Sequence, residues 1–128
     1  MNGAIRVLLV YSNEDAREEL NQMLGNEEGM MVIGEVRSGE AALAEARRLS
    51  PDVAILLTGN NTLDESIIYS ARAISEAQLP AKVIIMTESP MRYLVSAIKS
   101  GATGILPSDI GRDELLSTIR KIHLWFPS

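Results

Sequence analysis

The stretch that most constrains the fold is Pro51–Gly59, PDVAILLTG. Val53 to Leu57 are all apolar, and they stand between Pro51-Asp52 and the turn-forming Thr58-Gly59-Asn60-Asn61. Such a run suits a parallel strand covered on both faces, although periodicity alone also fits a buried helix segment. In open α/β sheets, ligands and chemistry collect at the carboxyl ends of the strands, beside the topological switch point. Here that end carries Leu57, which neither binds a metal nor attacks phosphorus.

Short apolar runs and helical patterns alternate around this strand. Ile5–Tyr11 reads as a first strand, and Ser12 as the cap of a helix, with Asp15 completing an imperfect capping box. Ala16, Leu20, Met23 and Leu24 share one face of that helix, and Gly25 closes it. Met31–Val36 is a second strand; Ser38 caps a second helix with a stripe of Ala42, Ala46 and Leu49, ended by Pro51. Thr62 and Glu65 form a better capping box for a helix from about Leu63 to Ala77, with Ile67, Ala71 and Ile74 inward. Leu79-Pro80 turns into a strand at Lys82–Met86. Thr87-Glu88-Ser89-Pro90 then opens a fourth helix, on which Met91, Leu94, Val95 and Ile98 line up. Gly101 and Gly104 flank a loop before a brief strand, Gly104–Leu106. The last helix is Arg112–Ile122, with Leu115, Ile119 and Ile122 inward and Asp113 and Glu114 favourably placed in its first turn. Strand and helix thus repeat five times. The pattern predicts a doubly wound five-stranded parallel α/β sheet, order 2-1-3-4-5, in three α/β/α layers.

At 128 residues the chain suits one domain, with a core over about 5–122 and a tail or linker over 123–128. It has no cysteine, which excludes disulfides, thiolate metal sites and cysteine nucleophiles. A single histidine, His123, supplies no His-rich metal site and is expected to face solvent at the end of the last helix. A net charge of −5 argues against direct nucleic-acid binding. No apolar run reaches the roughly 18 residues of a membrane span, and the N-terminus MNGAIRVLLVYSNED lacks the features of a signal peptide. A cytoplasmic location is expected. No nucleophile–base pair, glycine-rich phosphate loop or metal-ligand spacing suggests an enzyme.

Four stretches carry a family resemblance: IRVLLV at 5–10, VIGEVRSGEAALAEARRLSPDVAIL at 32–56, KVIIMT at 82–87 and AIKSGATGIL at 97–106. Together they make nearly the whole chain similar to the receiver domain of bacterial two-component response regulators, and most of all to receivers that precede LuxR-type DNA-binding domains. The resemblance implies the CheY-like, flavodoxin-like fold. It also implies a chemistry: an aspartate ending the third strand takes a phosphoryl group, and two acidic residues after the first strand help hold Mg²⁺. A lysine after the fifth strand, a Ser or Thr after the fourth and a switch aromatic on the fifth respond.

Carried over position by position, the acidic pair becomes Tyr11 and Ser12, the nucleophile Leu57, the lysine Ser108 and the switch aromatic Ile105. Thr87 alone matches. Asp52 is no substitute, because it lies roughly 16 Å from Leu57 at the other end of the strand. Glu14, Asp15 and Asp64 read as early helical acids favoured by the dipole; Ser12 with Glu14 is at best a weak cation contact. The expectation is therefore a degenerate receiver with an uncharged pocket at Tyr11, Ser12, Leu57, Thr87 and Ser108, no metal and no cofactor.

Such a domain is expected to act by phosphorylation-independent protein contacts. The expected partner, or second copy, sits on the face of helix 4, strand 5 and helix 5, around Arg92, Tyr93, Lys99, Ile105, Arg112 and Lys121. The alternatives are a truncated LuxR-type regulator whose output domain follows Ser128, and a sensor that binds a small molecule in the uncharged pocket. Thr87 reads either as a ligand-sensing hydroxyl or, preferably, as a strand-end threonine capping the next turn. Leu106–Pro107 is expected trans. Trp125 and Phe126 either pack back on the last helix or meet a partner.

Overall fold

The computed structural model describes residues 3–58 and 65–125. The elements alternate as expected: β1 (Ile5–Tyr11), α1 (Glu14–Gly25), β2 (Met30–Arg37), α2 (Glu40–Leu49), β3 (Val53–Leu57), α3 (Glu65–Glu76), β4 (Lys82–Thr87), α4 (Pro90–Lys99), β5 (Gly104–Pro107) and α5 (Arg112–Trp125). The strands form one parallel sheet in the order β2-β1-β3-β4-β5. Helix α5 runs three residues past Ile122 and takes in His123, which is exposed. Among the described residues, no peptide bond is cis and no helix is long and apolar enough to cross a membrane. The Thr62 capping box, Asp64 and Phe126 lie outside the described residues.

β3 is the centre, and all five of its residues are buried. Side chains of a strand alternate between its faces, which divides β3 between two cores. Val53, Ile55 and Leu57 join the layer made by α1 and α5, with Leu20, Leu24, Leu115 and Ile119. Ala54 and Leu56 join the layer made by α2, α3 and α4, with Ala42, Ala46, Ile67, Ala71, Ile74 and Ala97. A strand that must be oily on both sides is the reason for the unbroken apolar run.

Two helix caps differ from expectation. Asn13, not Ser12, caps α1: its side chain accepts from the Ala16 N–H at 2.9 Å. Ser12 still belongs to the sheet edge, its N–H pointing to the Leu57 carbonyl at 3.4 Å. Nor does Ser38 cap α2. The N-cap is Gly39, at φ +114°, and its N–H donates to Ser70 Oγ of α3 at 2.8 Å. The Ser38 hydroxyl instead meets Ser66 Oγ at 2.6 Å. The Gly39 N–H at the start of α2 is thus satisfied from a neighbouring helix.

α4 brings the largest correction. Met91, Leu94, Val95 and Ile98 do share a line, but that line faces outward: Met91 is 82 % exposed, Val95 62 % and Ile98 66 %. The helix rests on the sheet through Tyr93 and Ala97, with the C-cap Ser100 also buried. Its end is fixed by the Ser100 hydroxyl donating to the Ala97 carbonyl at 2.7 Å and by Gly101 at φ +91°. A Cβ on Gly101 would lie 2.7 Å from Ser75 Cβ of α3, so no larger residue fits that turn.

Candidate functional site at the carboxyl ends of the strands

The parallel strands end together, and backbone hydrogen bonds tie their ends into a crest. Ser38 N–H donates to Tyr11 O at 2.8 Å, Thr58 N–H to Met86 O at 3.0 Å and Ser108 N–H to Thr87 O at 2.8 Å. The register sets Tyr11 beside Leu57 and Leu57 beside Met86. Four of the expected site positions, Tyr11, Leu57, Thr87 and Ser108, therefore converge, with Ser12 beside them.

Leu57, Tyr11 and Thr87 are each committed elsewhere. Leu57 is 3 % exposed and packs into the α1/α5 core. With Leu20, Met23 and Met86 it borders a void of about 30 Å³, room for about one water. The Tyr11 ring has the Arg17 guanidinium 5.5 Å and the Arg37 guanidinium 5.2 Å from its centroid, within cation–π range. These arginines are held in turn: Arg17 pairs with Glu35 at 2.7 Å and Glu14 at 3.3 Å, and Arg37 with Glu14 at 2.6 Å. The hydrogen bond to Glu35 raises the Arg17 pKa above its ordinary value. Glu14 is thus an anchor for two arginines as well as an early helical acid. Thr87 is fully buried, and its Oγ1 accepts the Ser89 N–H at 3.2 Å, which is the turn-capping role preferred for it. Asp52 lies at the opposite end of β3 and accepts the Arg6 N–H at 2.9 Å.

The pocket beside the crest is not the uncharged one expected from Tyr11, Ser12, Leu57, Thr87 and Ser108. A crevice of about 250 Å³ is lined by Asn13, Asp15, Glu19, Thr58, Glu88 and Ser108, so its rim is acidic and Ser108 is the one expected residue that lines it. Asp15 and Glu19 arrive there because they are four residues apart on α1; Glu88 comes from the turn before α4. A neighbouring hollow adds Asp109. No three of the described acidic or histidine side chains are disposed to hold a metal ion. Leu57 would offer no oxygen to Mg²⁺, a hard cation, and the Tyr11 ring lies beside Arg17 and Arg37. The residues present do not fit that ion.

The expected interaction residues divide. Arg92, Lys99 and Lys121 are exposed, and Ile105 is half-buried on β5. Tyr93 is not a surface residue: it is 4 % exposed, and its hydroxyl is buried with no hydrogen-bond partner among the described residues. Arg112 is exposed but tied to the end of α1 and the loop after it, donating to the Met23 carbonyl at 2.9 Å and pairing with Glu27 at 2.9 Å. Glu27 also takes a hydrogen bond from Arg120. Together these hold its carboxyl below the usual range, the Arg120 bond contributing most. What the sequence pattern missed was the outward stripe of α4, whose composition was visible but whose direction was not.

The pattern that defines the response regulator receiver domain family matches residues 7–120. Over 124 residues the chain is 29% identical to the response regulator GacA of Pseudomonas aeruginosa, covering 92% of this chain and 55% of that protein. It is 34% identical over 102 residues to a protein-glutamate methylesterase/protein-glutamine glutaminase of Myxococcus xanthus, covering 80% of this chain and 29% of that one. The chain thus spans about half the length, or less, of these curated relatives. Among solved structures, the receiver domain of the response regulator NarL from Mycobacterium tuberculosis superposes with a TM-score of 0.81 at 26% identity, covering 94% of this chain and 96% of that one. The five-stranded order, the convergent strand ends and these likenesses together place the chain in the response regulator receiver domain family.

Proposed function

We propose that this receiver takes up no phosphoryl group and signals through protein contacts on the outward face of α4. The observation that carries the first half is Leu57, a buried aliphatic side chain at the carboxyl end of β3, where the resemblance puts the aspartyl nucleophile. An alkyl group has no lone pair to attack phosphorus, and the nearby carboxylates sit on the crevice rim with no lysine opposite. The domain is then held in one state, with the Arg17–Tyr11–Arg37 stack and the Thr87 cap fixing the crest. The test is incubation with acetyl phosphate and Mg²⁺, followed by intact mass, and with beryllofluoride, followed by amide chemical shifts. No adduct and no Mg²⁺-dependent change at Tyr11, Leu57 or Thr87 is expected. An aspartyl phosphate on any residue overturns the reading.

The second half rests on Met91, Val95 and Ile98, spaced as one stripe and mostly exposed. An apolar stripe on a helix already seated by its other face fits a partner surface. Arg92, Lys99 and half-buried Ile105 border or adjoin it as polar rim and edge. The occupant is a protein, either a second copy or an output domain in a longer chain; the length of GacA supports the latter arrangement. Sedimentation of the isolated domain separates these. A dimer that Val95→Glu disrupts supports the second copy, and a monomer at all concentrations turns the assignment to the output domain. The expected cytoplasmic location belongs to this reading.

A further inference from the structure

The chain has nine arginines, and seven are engaged. Arg6 donates to the Leu49 and Ser50 carbonyls; Arg17, Arg37, Arg48, Arg112 and Arg120 pair with carboxylates; Arg92 is bonded as well. The other two, Arg47 and Arg72, make no hydrogen bond or ion pair among the described residues, and both line one groove between α2 and α3. The spacing explains how they meet. Leu43 and Arg47 are four apart on α2, and Tyr69, Arg72, Ala73 and Glu76 fall at intervals of three, one and three on α3, so each helix turns one face to the groove. The cavity is about 340 Å³, within the range of small-molecule sites. Its floor is apolar, and the Tyr69 ring is 53 % exposed.

Three chemistries are thereby held together. Two unpaired guanidiniums favour a dianionic oxyacid, which they can grip bidentately. An exposed phenol ring favours a flat partner to stack on. Glu76 has no ion pair among the described residues although Arg72 is four residues before it; the Arg-then-Glu order is the weaker helical pairing. Its carboxylate repels a bare anion but accepts hydrogen bonds from neighbouring hydroxyls. Phosphate, sugar hydroxyls and a flat base in one molecule satisfy all three. We propose that the α2–α3 groove is a binding site for a nucleoside monophosphate, with Arg47 and Arg72 on the phosphate, Tyr69 against the base and Glu76 on the ribose. The site contains none of the strand-end residues, so it stands or falls apart from the phosphoryl question.

The test is an amide chemical-shift titration and calorimetry of the folded chain with adenosine and guanosine monophosphate, with inorganic phosphate and adenosine as controls. Saturable shifts are expected at Arg47, Tyr69, Arg72 and Glu76, with the nucleotide binding at least about tenfold tighter than phosphate or adenosine alone. Arg47→Ala and Arg72→Ala should each weaken binding about tenfold, the scale of one charge-assisted bond. Tyr69→Ala should weaken it about fivefold. All three positions are exposed, and an unchanged amide spectrum elsewhere establishes that each variant is folded. The proposal is overturned if millimolar nucleotide leaves these amides unmoved, if phosphate alone binds as well as the nucleotide, or if the variants bind like the parent chain.

Discussion

Leu57 and Ile98 are both large aliphatic residues at places where a polar one would be easier to explain, yet one is 3 % exposed and the other 66 %. At the crest, on the proposed reading, an oily side chain sits where the family's chemistry would put a charge, and the core closes over it. On α4, oily side chains sit where solvent would favour charge, while Tyr93 takes the inner side with an unpartnered hydroxyl. Folding rewards the first arrangement and penalises the second, modestly at each position. A feature that improves packing needs no further reason. A feature that packing would rather lose points to something outside the chain, and on the proposed reading this difference separates the strand-end crest from the α4 surface.

The sharpest way to break the contrast is to restore the charge. Leu57→Asp places a carboxylate among Leu20, Met23 and Met86 with no cation arranged to meet it. An uncompensated charge of this kind costs about 3–5 kcal/mol, and Leu57→Ala costs about 2–5 kcal/mol through the cavity it leaves. Urea denaturation should show both losses, and neither variant should gain a phosphoryl group from acetyl phosphate. If Leu57→Asp were as stable as the parent and became phosphorylated in Mg²⁺, the crest would be a dormant site one residue away from activity.

Tyr93→Phe tests the other region from inside. Removing a buried hydroxyl that has no partner should stabilise the domain by about 1 kcal/mol, the lower end of the penalty for such a group. A loss of stability instead would mean that the hydroxyl finds a partner in solution. On the outer side, Met91→Gln, Val95→Gln and Ile98→Gln should each change stability by no more than about 0.5 kcal/mol, as exposed substitutions do, while weakening whatever association the domain makes. Large destabilisation without loss of association would return the stripe to a structural role.

These residues also mark how much was legible in the chain. The sheet order and β3 could be read because a strand buried on both faces must be apolar throughout, a signal carried by five adjacent letters. The outward turn of α4 could not, because helical periodicity identifies a face but not which way it points. Tyr93 was assigned to a surface for the same reason and is drawn in by packing; Arg112 stays exposed but is held by Glu27, 85 residues earlier. The cap at Ser12 failed because the next residue, Asn13, takes the Ala16 N–H, and the one at Ser38 because the Gly39 N–H finds Ser70 of α3. At the crest the four departures from the family pattern were plain in the resemblance, but the acidic rim was not: Asp15, Glu19 and Glu88 come together only when α1 and the β4–α4 turn fold beside each other.

The smallest expected effect concerns the layer that holds Leu57. Glu27 joins the loop after α1 to Arg112 and Arg120 of α5. Its folded pKa lies below its ordinary value of 4.5, chiefly through the Arg120 hydrogen bond. A depressed carboxylate pKa stabilises the fold while the group is ionised, so the contribution is present above pH 4.5 and disappears as pH falls through the lower folded value. Glu27→Gln should therefore be slightly less stable than the parent at neutral pH and converge with it in acid, with the gap narrowed by salt because the pair is close to solvent. Hydrogen exchange locates the effect: α5 and the end of α1 should open more readily in the variant at neutral pH, and α4 should not. Equal loosening of α4 would mean that the two faces of the sheet are coupled, and that a partner on α4 can be sensed at the crest after all.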